Sequence, residues 1–162
     1  ILKRKLNLIN KEVKINIYNQ KANEKNLNII NKYDIVIDGS DNFKTKFLLN
    51  KFSQKFKKKL IVGAISKFDG HVFTFDFTLK NSPCLKCFYQ SDPSDEILNC
   101  ESEGILGPTA NIIGAIQANE ALKFILNIGK NLQSNILILD FLNLNFRKVL
   151  FKKRKYCICK KI

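Results

Sequence analysis

Residues 34–43 read DIVIDGSDNF, an apolar run that ends in two aspartates, a glycine and a serine. The unbroken apolar centre of YDIVIDG is typical of a strand covered on both faces, as in a parallel sheet. The next segment, FKTKFLLNKFSQKF, places its phenylalanines on one side of a helix, for which Asp41 or Asn42 would be a good N-cap. KKLIVGAIS at residues 58–66 predicts a second buried strand. Together the three segments predict a βαβ unit with a right-handed crossover.

The rest of the chain adds antiparallel strands and a long helix to this unit. EVKINIYN at residues 12–19 alternates apolar and polar residues, which indicates a half-buried strand. GHVFTFDF, with a turn at Asp69-Gly70 before it, predicts an antiparallel return whose phenylalanines at 73, 75 and 77 face the core. Residues 109–129 predict a helix of about five turns, stopped by Gly129, with apolar positions 112, 113, 116, 122, 125 and 126. The end of the chain predicts two more strands with a turn near residues 142–145.

The composition indicates a single domain and argues against a membrane or a specific nucleic-acid partner. A chain of 162 residues suits one compact domain with its own core. The net charge of +14 would attract nucleic acid, but only three of the 28 basic residues are arginine, which such sites favour. No run approaches the about 20 apolar residues of a membrane span and no signal peptide opens the chain, so we expect a cytoplasmic protein.

The opening ILKRKLNLIN reads as the second half of an amphipathic helix, and the chain has no methionine, so we expect a segment upstream of it.

Polar residues cluster where the first buried strand ends and the helix begins. Asp38, Ser40, Asp41 and Asn42 lie at the carboxyl end of a parallel strand, where open α/β sheets bind ligands. The helix N-terminus suits a phosphate, and a divalent cation such as Mg²⁺ between the two carboxylates would offset their repulsion of it. The alternative is that Asp41 or Asn42 merely caps the helix.

The cysteines suggest a metal site, with one thiol left over. Cys84 and Cys87 form a C-x-x-C knuckle that suits a tetrahedral ion, and a redox pair is the competing interpretation. Cys157 and Cys159 form a second close pair, with only one residue between them. The fifth cysteine, Cys100, lies in the loop before the long helix, either as an ordinary loop residue or as a reactive thiol near a helix N-terminus.

Five separated blocks resemble, in order and spacing, the ThiF/MoeB/HesA superfamily, the ubiquitin-activating-enzyme-like adenylyltransferases of sulfur-carrier proteins. They are YDIVIDGSDNFKTKFLLN, LIVGAISKFDGHVFTFD, PCLKC, NCESEGILGPTANIIGAIQANEALK and the terminal cysteine pair. The resemblance covers nearly the whole chain from about residue 5. It implies an α/β fold, namely a Rossmann-like mixed sheet with flanking helices and a C-terminal antiparallel extension, stabilised by zinc.

The resemblance also implies roles for the polar residues and the cysteines. Asp41 and Asn42 would bind ATP and its Mg²⁺, with Lys46 standing where the family usually has arginine. Cys100 would be the nucleophile that accepts the activated carrier. The four paired cysteines would bind a structural Zn²⁺: Cys84, Cys87, Cys157 and Cys159.

The implied function is ATP-dependent adenylation of the C-terminal glycine of a small ubiquitin-like sulfur-carrier protein. The carrier would serve thiamine or molybdopterin biosynthesis, and the enzyme would be a homodimer. The 162 residues contain no G-x-G-x-x-G loop, so they would be the C-terminal part of an adenylation domain. This departure, Lys46 and the shortened second cysteine pair leave an alternative, an inactive zinc-binding relative that only binds the carrier.

Overall fold

The computed structural model describes residues 1–89 and 104–157, and within them five strands form one mixed sheet in the order β1-β2-β3-β4-β5. The strands are β1 (Ile35–Asp38), β2 (Lys59–Ser66), β3 (Asp69–Asp76), β4 (Asn135–Asp140) and β5 (Asn145–Leu150). The helices are α1 (Leu2–Ile9), α2 (Phe43–Lys55), α3 (Leu85–Phe88) and α4 (Gly107–Leu126), with a 3-10 helix at Leu27–Lys32. No helix in this described part of the chain is long and apolar enough to cross a membrane.

The predicted βαβ unit is confirmed. β1 pairs with β2 in parallel, with Ile35 opposite Lys59, and α2 connects them. β2 is covered on both faces, which explains its unbroken apolar sequence: Leu60 and Val62 pack on the side of α2 and α3, and Ile61 packs on the side of α4.

Antiparallel strands complete the sheet, as predicted, with β2 pairing with β3, β3 with β4 and β4 with β5. The phenylalanines at 73, 75 and 77 are buried, and consecutive rings stack at centroid distances of 6.0 and 5.7 Å. The turn before β3 was predicted two residues too late in the sequence. Asp69 and Gly70 already belong to β3, and the turn is Lys67-Phe68, with Lys67 at φ 49°. Gly70 is instead required by packing, because a Cβ there would lie 2.5 Å from the side chain of Ile113 in α4.

The prediction of a strand at residues 12–19 is wrong. This segment has no regular secondary structure, and Val13 and Ile17 are 54% and 62% exposed. An alternating sequence becomes a strand only where a neighbouring strand accepts its backbone hydrogen bonds, and no described strand pairs with this segment.

The long helix α4 forms, but it ends earlier and faces the sheet with different residues than predicted. It ends at Leu126, because Asn127 adopts a left-handed conformation at φ 52°, two residues before Gly129. Of the predicted apolar positions, Ile113 is buried, whereas Leu122 and Ile125 are 52% and 67% exposed. The helix also buries polar side chains against the sheet, among them Gln117 and Glu120.

Glu120 is a buried acid whose hydrogen-bonding capacity is met by the protein. Its carboxylate accepts hydrogen bonds from Thr74 Oγ1 at 2.9 Å and Leu132 N at 2.8 Å, and from Asn131 Nδ2 at 3.1 Å. Burial raises the pKa of Glu120, but hydrogen bonds from Lys123 and these groups outweigh it and lower that pKa. Glu120 therefore ties α4 to β3 and to the loop before β4, which is a structural role.

Candidate functional site

A cleft of about 300 Å³ opens at the carboxyl ends of the parallel strands β1 and β2. This is the place in an open α/β sheet where ligands bind. The walls come from the loop after β1, from the start of the crossover helix, from β2 and from α4; they include Gly39, Ser40, Asp41, Lys46, Gly63 and Gln117.

Asp38 turns inward, so the predicted pair of aspartates sharing a cation is not formed. The side chain is buried, and its Oδ1 accepts hydrogen bonds from Ser40 N at 2.8 Å and Ser40 Oγ at 2.6 Å. Its Oδ2 accepts a hydrogen bond from Lys46 Nζ at 3.3 Å. Because protein donors occupy both oxygens, Asp38 holds the strand end together. Of the two aspartates, Asp41 is the one that lines the cleft.

Lys46 forms a buried ion pair beneath the cleft. It is only 1% exposed, and its ammonium donates to the carbonyl oxygen of Gly63 at 2.6 Å as well as to Asp38. A buried charge needs such partners to offset its lost hydration. The structure therefore places Lys46 in the wall of the cleft and ties it to β1 and β2. Its contact with a nucleotide stays a prediction.

Asn42 is the N-cap of α2, which is one of the two roles considered for it. Its Oδ1 accepts a hydrogen bond from Thr45 N at 2.8 Å, and its Nδ2 donates to Asp41 Oδ1 at 3.1 Å. The hydrogen bond from Asn42, with smaller effects of the backbone and of the Lys46 charge, lowers the pKa of Asp41. Asp41 is exposed, so the cleft presents an ionised carboxylate at neutral pH.

Gln117 is a residue of this site that the sequence analysis missed. Its Nε2 donates to the carbonyl oxygen of Asp38 at 2.8 Å and to that of Ile61 at 3.4 Å. Through Gln117, α4 is hydrogen-bonded to the backbone of both parallel strands, β1 and β2, at the cleft. The sequence does contain an indication of this role. Gln117 is an amide side chain within the largely apolar helix NIIGAIQANEALK, four residues after Ile113 and therefore on the same face of the helix.

Replacing Gly63 with alanine is expected to lower the free energy of unfolding by about 1–3 kcal/mol. A Cβ at Gly63 would lie 2.7 Å from Gln117 Oε1, and the two hydrogen bonds of Gln117 restrain it from moving away. Urea unfolding of the full-length protein measures the change. Gly114→Ala is the matched control, because a Cβ there meets nothing within 4 Å. We expect that control to be neutral or stabilising, and equal losses in the two variants would contradict the steric explanation.

Three cysteines converge in a second, buried cluster. Cys84, Cys87 and Cys157 are all buried, and Cys84 Sγ lies 3.8 Å from Cys87 Sγ and 3.7 Å from Cys157 Sγ. Tetrahedral zinc with Zn–S bonds of about 2.3 Å separates its sulfur ligands by about 3.8 Å, so the thiols have the spacing that zinc requires. A simple redox pair would not need Cys157, which comes from 70 residues further along the chain (Cys87 to Cys157).

The thiol chemistry of the cluster also suits a metal. The side-chain hydrogen bond with Cys84, with smaller contributions from backbone hydrogen bonds and from Cys157, lowers the pKa of Cys87 to about 4 although burial raises it. A thiolate is the form that ligates zinc. Cys159, the predicted fourth ligand, and Cys100, the predicted nucleophile, lie outside the described residues.

The comparisons with known proteins agree on one family. The ThiF family matches residues 1–160. A sulfur carrier protein adenylyltransferase of Thermus thermophilus is 34% identical over 97% of this chain and 60% of its own length. A probable molybdopterin-synthase adenylyltransferase of Gracilaria tenuistipitata is 35% identical, over 89% of this chain and 40% of its own length. Adenylyltransferase and sulfurtransferase MOCS3-1 of Drosophila pseudoobscura is 35% identical, over 92% of this chain and 33% of its own length.

The solved structures support the fold. The crystal structure of E. coli MccB with ATP has a TM-score of 0.76 and 17% identity, and the match covers 98% of this chain and 48% of that one. At this identity the likeness concerns the fold alone. The chain spans between a third and 60% of the length of the three curated relatives. Because the ThiF family model matches residues 1–160, nearly the whole of the sequence, the chain belongs to the ThiF family.

Proposed function

We propose that the full-length protein adenylates the C-terminal glycine of a small ubiquitin-like sulfur-carrier protein. One observation carries the proposal: an exposed, ionised Asp41 stands at the mouth of a cleft at the carboxyl ends of β1 and β2, beside the N-terminus of α2. The similarity to relatives named as adenylyltransferases of sulfur carriers and of molybdopterin synthase supports the substrate class.

In the proposed reaction, a carboxylate oxygen of the carrier's terminal glycine attacks the α-phosphorus of ATP. The bond between that phosphorus and its bridging oxygen breaks, pyrophosphate leaves, and an acyl-adenylate remains. The attacking carboxylate is already ionised, so no base is needed to remove a proton. The site's task is to position two anions and to offset their charge.

Different residues of the cleft would contribute to the positioning of the substrates and to the neutralisation of their charge. Asp41 would hold Mg²⁺, which takes oxygen ligands and commonly combines one or two carboxylates with substrate phosphates. Bound there, Mg²⁺ would offset negative charge on the phosphates. Asn42 orients Asp41 through their hydrogen bond, and the Lys46–Asp38 pair fixes the strand end from which Asp41 projects. Cys100 would then attack the acyl-adenylate carbonyl, releasing AMP and forming a thioester.

We also propose that Cys84, Cys87 and Cys157 hold a structural Zn²⁺, with Cys159 as the fourth ligand. The described thiols support this because they are buried together at the separation that tetrahedral zinc imposes. The ion would tie the C-terminal segment to the loop that carries α3. A homodimer is part of the proposal as well, and the exposed apolar residues Ile125 and Leu126 near the end of α4 are compatible with one.

Carrier-dependent exchange of pyrophosphate into ATP tests the proposed function. We expect the full-length protein to catalyse exchange only when a sulfur carrier with an intact terminal glycine is present. Carriers of the thiamine and molybdopterin types, compared side by side, would identify the pathway. Binding of a carrier without any exchange would favour the alternative of an inactive carrier-binding relative and would refute the adenylation proposal.

A further inference from the structure

A side chain of α2 accepts a hydrogen bond from the first backbone amide of α3. Cys84 precedes α3, and its own side chain makes no capping hydrogen bond. The first N–H groups of a helix lack intrahelical partners and need another acceptor. For Leu85, the first residue of α3, that acceptor is Asn50 Oδ1 in α2, at 2.9 Å from Leu85 N. Asn50 is 2% exposed and Leu85 is fully buried, so water does not compete with this hydrogen bond.

Asn50 is itself held in place. It follows the N-cap Asn42 and the buried Lys46 at intervals of four residues, so the three lie on one face of α2. Asn42 fixes the start of the helix, and Lys46 fixes its next turn to β1 and β2. The oxygen that Asn50 presents to Leu85 therefore has a fixed position relative to the sheet.

Aromatic and cation–π contacts also hold this segment against α2, but they involve side chains and not the backbone. The Phe43 and Tyr89 rings meet edge to face at 5.1 Å, and Lys86 Nζ lies 5.0 Å from the centre of the Phe47 ring. The hydrogen bond from Leu85 N to Asn50 acts on the backbone, and together with the one from Cys87 N to the Cys84 carbonyl oxygen at 2.8 Å it restrains the plane of the Cys84–Leu85 peptide. The orientation of that peptide, together with the χ1 torsion of Cys84, sets the direction of the Cys84 thiol.

We infer that Asn50 is a positioning residue for the metal site, because its oxygen orients Cys84 so that the thiols of Cys84, Cys87 and Cys157 converge. The role rests on the proposed zinc site. Groups that hold metal ligands in orientation typically change metal affinity by about 10–100-fold when they are removed. Asn50 thus has a function at the cluster although it is far from it in sequence and cannot ligate zinc strongly itself.

Zinc affinity in the full-length protein tests this inference. Asn50→Leu keeps the branched shape of the side chain and removes the acceptor, and Asn50→Ala removes it without adding bulk. Asn50→Asp keeps an acceptor oxygen, and Ser53→Ala is the matched control. Ser53 is fully buried in the same helix, and its hydroxyl has no hydrogen-bond partner among the described residues. Competition with a chromophoric chelator gives the zinc dissociation constant. The absorption spectrum of the Co²⁺-loaded protein reports the geometry of the thiolate ligands independently of stability.

We expect Asn50→Leu to weaken zinc binding about tenfold or more and to shift the Co²⁺ spectrum. Asn50→Asp and Ser53→Ala should retain the wild-type affinity and spectrum. Wild-type affinity and spectrum in Asn50→Leu, or an equal loss in Ser53→Ala, would overturn the inference while leaving the zinc site intact. If Asn50→Leu does not fold, Asn50→Ala decides in its place, because it also removes the acceptor of Leu85 N: a wild-type affinity and spectrum in that variant would overturn the role, and weaker binding with an altered spectrum would support it. Wild-type protein that binds no zinc would refute the zinc site and this role together.

Discussion

Replacing Asp41 with alanine is expected to reduce carrier-dependent ATP–pyrophosphate exchange by the full-length protein about a hundredfold or more. Asp41 is the carboxylate that faces the cleft, since Asp38 is buried and bonded to Ser40 and Lys46. Without Asp41, the site would lose its proposed ligand for Mg²⁺, and the phosphates would lose the charge that offsets theirs. The folded state should be unaffected because the side chain is exposed.

Asp34→Ala is the control for this substitution. Asp34 is also exposed and lies just before β1, at the opposite end of the strand from the cleft, so the same change of charge is made away from the site. We expect its exchange rate to stay within about twofold of wild type, as for a surface position without substrate contacts. Equal losses in the two variants would mean that the general charge of the protein matters, and full activity of Asp41→Ala would refute the assigned magnesium ligand.

The second large effect is expected at the cysteine cluster. Cys87→Ser should abolish zinc binding and lower the unfolding temperature of the full-length protein by about 10 °C or more. Cys87 is a buried residue of α3 and lies in the cluster with Cys157, so the zinc would join two parts of the chain that are distant in sequence. Because the metal binds the folded state, its binding free energy adds to stability.

Zinc content measured by mass spectrometry, together with thermal unfolding, checks this prediction. Cys100→Ser is the control, since the sequence places this thiol outside the two cysteine pairs, and it should retain one zinc per chain. Wild-type protein purified without zinc, with an unfolding temperature that a chelator leaves unchanged, would contradict the structural role of the metal.

The βαβ unit could be predicted from the sequence because its signals are local. An apolar run with both faces covered, a polar N-cap and a one-sided helix lie within residues 33–66, and the structure contains β1, α2 and β2 there. The segment at residues 12–19 had an equally clear local pattern, but a strand depends on a partner for its backbone hydrogen bonds. The hydrophobic pattern of a segment does not show whether a neighbouring strand is present to pair with it.

The burial of polar residues could not be predicted from the sequence, because it depends on contacts between different elements of the structure. Asp38 and Asp41 look equivalent in DIVIDGSDNF, yet Asp38 is buried because Lys46, eight residues away, meets it. On α4, hydrophobicity alone pointed to Leu122 and Ile125, but Gln117 and Glu120 face the sheet because backbone and side-chain partners there satisfy them. Buried polar residues of this kind are stabilised by partners on other elements of the structure, which a local sequence pattern does not show.

The position of the metal in a nucleotide complex decides whether Asp41 binds Mg²⁺ in this cleft. The measurement is a crystal structure of the full-length protein with Mg²⁺ and a non-hydrolysable ATP analogue. We expect the triphosphate in the cleft between β1, β2 and α4, with a carboxylate oxygen of Asp41 at about 2.1 Å from Mg²⁺. A nucleotide bound elsewhere, or a metal held in this cleft without any contact to Asp41, would contradict this expectation.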